Sequence, residues 1–230
     1  MIGESLLTPA QEQANSLVLG LFLLTAFGMT VARQVQATLL AFVAQSLLLA
    51  CSSLVLGLHP LSVHLLALTA VTLAGKVLLI PWLLRRIVPD AVYSRRELSQ
   101  PVNITTSLLI AMALAIAAYF FSVALLAPGT PVLIAGNVSI GFAGLLVGWY
   151  QVAVRNEALP QLLGILAMEN SAFLAGIAMA PDFPLIAELA IAFDVPLLAL
   201  IVGLLTRALQ ERVGSTDVGA LIRLREGGEP

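Results

Sequence analysis

VHLLALTAVTLAGKVLLIPWLL, residues 63–84, is an apolar run long enough to cross a bilayer, yet it contains Lys76, the only lysine in the chain. An ionisable group at that depth costs roughly 2.5–3.5 kcal/mol on insertion scales, so it is normally retained for a task and given a partner. Two other apolar runs carry acids that suit it, Glu169 and Asp194. Ionisable groups in three separate membrane helices direct attention to proton or ion movement.

The rest of the sequence agrees with a membrane setting. Of 230 residues, 60% are hydrophobic and 10% charged, too little polar surface to cover a soluble core of this size. The single cysteine, Cys51, lies within an apolar run, so no disulfide framework and no thiolate set for an iron–sulfur cluster is expected in this chain. Glu4 and Glu12, with no basic residue, precede the first apolar run. A secretory signal needs the opposite charge there, so the first helix is expected to be kept.

Stretches of about 20 apolar residues fall at Ser16–Val31, Thr38–Leu58, Val63–Leu84, Ile104–Ala127, Pro131–Val154, Leu159–Ala180 and Leu185–Leu209. Proline and polar clusters separate them, and strand alternation is absent, so the expected fold is all-α: a polytopic bundle of seven transmembrane helices. With seven spans every arginine falls on one side: Arg33; Arg85, Arg86, Arg95 and Arg96; Arg155; and Arg207, Arg212, Arg223 and Arg225. The positive-inside rule then places the N-terminus outside and the C-terminus in the cytoplasm. Residues 1–130 form a four-helix region, 131–212 a three-helix region and 213–230 a cytoplasmic tail.

Counting about 1.5 Å per residue from the outer loops puts Lys76 roughly 20 Å deep, Glu169 roughly 18 Å and Asp194 roughly 15 Å. All three approach the midplane. Glu188 lies one turn into the seventh span and reaches either the outer interface or the path. Asn170 and Ser171 add polar surface beside Glu169, and Asn137 and Ser139 do so nearer the outer face. Pro81 frees the carbonyl of Val77, next to Lys76, and Pro196 that of Ala192, near Asp194. The competing explanation is a buried lysine–carboxylate pair that only fixes helix packing. In the fifth span Gly136, Gly141, Gly144 and Gly148 permit close helix approach, more simply within the chain than between chains. His59 and His64 lie at one short outer connection, a poor arrangement for haem ligation. No nucleotide loop, nucleophile with its base, or nucleic-acid surface is found.

From about Gly141 the residues follow a recognisable order: Arg155-Asn156, then LLGILAMENSAFLA over 162–175, then Ala190-Ile-Ala-Phe-Asp194 and a leucine-rich helix ending at Arg207. This part resembles the three-helix K subunit of respiratory complex I and the C subunit of Mrp-type cation/proton antiporters. The whole chain, with four helices in front, resembles the hydrogenase-4 component E family of formate hydrogenlyase and other group 4 NiFe-hydrogenase complexes. The resemblance implies a non-catalytic membrane subunit in a bacterial or archaeal cytoplasmic (inner) membrane, beside antiporter-like membrane subunits and a peripheral hydrogenase-type arm. NiFe and iron–sulfur centres would sit in those partners, with none in this chain. In K subunits two glutamates are implicated in proton translocation. The first stands two residues after the glycine matching Gly164, where this chain has Leu166, with Glu169 one turn further on; the second aligns with Asp194. Lys76 has no counterpart in the K subunit. Two other readings stay open: a self-contained secondary transporter, for which no inverted repeat is visible, and a purely structural subunit of a membrane arm.

Overall fold

The computed structural model describes residues 9–58, 61–87 and 102–179, together with Gly203. These residues form an all-α polytopic membrane protein, with six helices long and apolar enough to cross a membrane. Helix α1 is Pro9–Val31, α2 Val35–Leu58, α4 Ile104–Leu125, α5 Val132–Val154 and α6 Ala158–Met179; α3 consists of an α-helical segment Val63–Thr72, a π-helical segment Leu73–Leu79 and an α-helical segment Ile80–Ile87. The expected seventh span, Leu185–Leu209, and with it Glu188 and Asp194, lies outside the described residues, as does the tail from 213. The first helix is longer than the apolar run suggested, starting at Pro9 instead of Ser16. Proline is well suited to an initial turn, where its missing N–H would have no helical partner.

Helices α1, α2, α6 and α5 pack in a ring, each on the next; α3 lies against α2, and α4 lies against α5 and α1. The arginines of the described segments gather at one end. Arg33 follows α1, Arg85 and Arg86 end α3, and Arg155 follows α5. At this end Met29, Val35, Leu39, Phe42, Ile80, Leu84, Leu159, Leu162, Leu163 and Leu166 form one dry cluster. Toward the other end Leu19, Phe22, Leu49, Leu65, Leu68, Leu174 and Ile177 form a second. Large apolar side chains also cover the outside, among them Leu40, Leu78 and Phe120, as a lipid solvent permits. Trp82 and Trp149 are exposed near the arginine end, the level at which amphipathic rings settle, and the Arg86 guanidinium lies 5.2 Å from the Trp82 ring.

The turn from α4 to α5 is written in its residues. Thr130 N–H donates to the carbonyl of Ala127 (3.1 Å), with Pro128 and Gly129 between them. Gly129 has φ +88°, which a type II turn demands of its third residue and glycine supplies without strain.

Glycines set the α5–α6 contact. A Cβ on Gly141 would lie 2.7 Å from both the Ser171 carbonyl oxygen and the Ala175 Cβ, and one on Gly148 would lie 2.7 Å from Met168 Cγ. One on Gly144 would strike the Ser171 hydroxyl. Their spacing therefore serves contact within the chain. Gly141→Leu should lower thermal stability in detergent by about 1–3 kcal/mol, because backbone would have to move. Gly20→Leu, at an exposed site with nothing within 4 Å, should change it little. Equal melting of the two variants would refute this account of the interface.

Candidate ion-pair site in the membrane core

Lys76 enters the bundle from the π-helical segment of α3. There the N–H of Ile80 donates to the carbonyl of Gly75, five residues back. The buried positions of α3 explain why a wider turn is used: Leu68, Thr72, Lys76, Ile80 and Leu84 recur every fourth residue. In a straight α-helix of 3.6 residues per turn that stripe would drift by about 40° per step, about 160° overall. The π segment, with one residue more than an α-helix would use there, takes up about 100° of this drift and keeps Lys76 on the same face as Ile80 and Leu84. Pro81, which cannot donate to a carbonyl behind it, follows directly. Single π turns are rare and occur often at functional sites.

The Lys76 ammonium has three donors and meets three electron-rich groups. Nζ lies 3.0 Å from Glu169 Oε1, donates to Asn170 Oδ1 at 2.9 Å, and stands 5.0 Å from the centre of the Phe173 ring. All three partners lie on α6. The Asn170 amide in turn donates to Ser46 Oγ on α2 (2.8 Å), and the Ser46 hydroxyl donates to the carbonyl of Phe42 (3.0 Å). A hydrogen-bonded chain therefore runs from α3 through α6 to α2. Lys76 and Glu169 side chains are 8% and 19% exposed, so their attraction is little weakened by solvent, and each would be costly without the other. Carboxylate and ammonium in direct contact can exchange a proton, and moving it changes the site from two charges to none.

Of the residues singled out from the sequence, Lys76, Glu169 and Asn170 meet here. Asn137 belongs to a second network nearer the N-terminal end of α1. It accepts from Asn15 Nδ2 (2.8 Å), and Asn15 Oδ1 accepts from Ser52 (2.7 Å). Ser139 pairs with Ser122, joining α4 to α5. Ser171 donates to the carbonyl of Ala167 and packs on Gly144, away from the ion pair. Asp194 and Glu188 fall outside the described residues. The sequence reading passed over Ser46, Phe173 and Gln45; the first and last are the polar interruptions in the run Thr38–Leu58 nearest the depth of Lys76.

At the arginine end a separate clamp closes the bundle. Arg155 Nη2 donates to the carbonyls of Met29 (3.1 Å), Thr30 (3.2 Å) and Ala32 (2.6 Å), satisfying acceptors that the end of α1 leaves open. Burial lowers the Arg155 pKa to about 10, opposed by the nearby Glu157 charge, so the clamp remains charged at neutral pH.

The chain is 30% identical over 184 residues to the uncharacterized protein Rv0085 of Mycobacterium tuberculosis (strain ATCC 25618 / H37Rv), an alignment covering 79% of this chain and 82% of the mycobacterial one. The chain belongs to the Rv0085 family. No family model matches the sequence, and no solved structure matches it. Among the described residues of this Rv0085-family chain no group of three or more His, Cys, Asp or Glu side chains is placed to hold a metal.

Proposed function

We propose that the chain is a non-catalytic membrane subunit of a group 4 hydrogenase, formate hydrogenlyase or complex I-like assembly in a bacterial or archaeal cytoplasmic membrane. In this reading it contributes to proton or sodium translocation coupled to redox chemistry in other subunits. The observation that carries it is the Lys76–Glu169 contact, extended through Asn170 to Ser46, inside an apolar bundle. A proton-holding carboxylate needs a nearby charge that can be biased from a distance, and Lys76 supplies it. Asp194, in the apolar run expected from the sequence to form the next span, serves as the second proton-holding group. NiFe and iron–sulfur centres belong to partner subunits.

Tagged chain isolated from native membranes should bring with it antiporter-like membrane subunits and a hydrogenase-type arm. In that complex Glu169→Gln with Asp194→Asn should let electron transfer continue while the ions moved per electron fall severalfold. Isolation without redox partners would favour a self-contained carrier. Normal ion movement per electron in an intact double variant would leave the chain as a scaffold.

A further inference from the structure

Two of the three groups around the Lys76 ammonium carry no charge of their own. Nζ meets Glu169 Oε1, Asn170 Oδ1 and the face of the Phe173 ring. The orientation of the Asn170 amide follows from its contact on the other side. Ser46 gives its hydroxyl hydrogen to the carbonyl of Phe42 (3.0 Å), so its oxygen accepts the Asn170 N–H (2.8 Å) and Oδ1 is left to face Lys76 (2.9 Å). Turning the amide over would reduce these three hydrogen bonds to two, because Ser46 would have to leave Phe42 in order to donate to Oδ1.

An amide oxygen and the negative face of an aromatic ring both attract a cation, and neither offers a hydrogen to the lone pair of a neutral amine. Their hold on the ammonium is unchanged when Glu169 takes up a proton. Glu169 is also the more accessible member of the pair, 19% exposed against 8%, on the stripe of α6 that holds Ile165 and Ala172, both exposed. Among the described residues α2 brings no charged side chain to Lys76, and α6 brings Glu169 alone. We infer that Asn170, oriented by Ser46 and assisted by Phe173, is a positioning residue that keeps Lys76 an ammonium while Glu169 is protonated. Glu169 alone then gains and loses the proton, and the pair alternates between no net charge and one positive charge instead of collapsing to two neutral groups. This deepens the proposed function, which supplies the use for that charge; the charge itself is a property of the isolated chain.

Lys76 is the only lysine, so nitrogen-15 placed at lysine Nζ gives one NMR signal, whose shift separates ammonium from amine. Glu169→Gln with Asp194→Asn removes both acids. In the full chain in liposomes at neutral pH, this double variant should show ammonium. Adding Asn170→Leu should raise the amine-to-ammonium ratio at least about tenfold, the effect of one hydrogen bond to a charged group. Ser46→Ala, a milder change, should raise the ratio in the same sense, and Ser46→Thr, which keeps the hydroxyl, should not. Glu169→Leu takes the place of Glu169→Gln if that protein does not fold, with the same expectations. Amine in the double variant would overturn this role, since the charge would then depend on the acids. A ratio unmoved by Asn170→Leu would remove Asn170, and Ser46→Thr behaving as Ser46→Ala would remove Ser46. A merely structural Asn170 would lower the melting temperature without moving the nitrogen signal. None of these outcomes depends on redox partners, so isolation without them and loss of the ammonium signal here are separate failures.

Discussion

Lys76→Met should destabilise the bundle by about 3–5 kcal/mol, the range observed when one member of a buried ion pair is removed. The loss exceeds the worth of the contact, because Glu169 keeps its cost of burial while Asn170 Oδ1 loses a donor at 2.9 Å. Glu169→Gln should cost a similar amount by stranding the ammonium. Combining them should cost clearly less than the sum, since neither charge is then left alone. A cycle of the four proteins, melted in one detergent, measures the difference; strict additivity would mean that the 3.0 Å contact does not bind the two helices. The cycle also sharpens functional tests. A coupling defect in Lys76→Met alone mixes loss of charge with loss of structure, whereas the Lys76→Met/Glu169→Gln protein separates them.

A second large effect concerns helix length. Deleting Leu78, a lipid-facing residue that is 67% exposed, should leave a folded bundle with stability within about 1 kcal/mol of the parent, as for a substitution at an exposed site. The π segment holds one residue more than an α-helix needs there, so its removal lets the backbone close while Thr72, Lys76, Ile80 and Leu84 keep one face. Deleting Leu47, also lipid-facing at 45% exposure, meets no such reserve. In the α-helical α2 it would rotate everything beyond it by about 100°, turning Leu49, Ser52 and Ser53 away from their partners. That protein should fail to accumulate in the membrane. Size-exclusion profiles and melting of both deletions decide the matter, and equal disruption would deny the π segment its role as a register adjuster.

Much of this was legible in the sequence, for reasons that differ by residue. Lipid forces backbone groups to be satisfied within each span, so spans and loops stand out as apolar runs and breakers, and arginines mark one end. Charges stand out for the same reason, so Lys76 and Glu169 could be picked out of their apolar runs. Ser46 and Gln45 carry no charge, so an apolar run hides them. The rotation of α6 was not legible either: it turns Asn170 toward Lys76 and Ser171 toward α5, and it is set by Gly141, Gly144 and Gly148 receiving that helix. The π segment escaped because its cause, a stripe repeating every fourth residue, is visible only once the faces covered by neighbours are known.

The order of the partners along the chain also shapes how the protein is made. Lys76 contacts Asn170, which follows 94 residues later. At synthesis rates of about 5–20 residues per second, the nascent α3 therefore waits roughly 5–20 seconds before the helix that neutralises it leaves the ribosome. Throughout that interval its ammonium must remain near a headgroup or in the translocon, at the insertion cost of roughly 2.5–3.5 kcal/mol. Biogenesis thus has a late commitment point: α3 attains its final depth only when α6 arrives, and a chain truncated before Glu169 should be a substrate for membrane proteolysis.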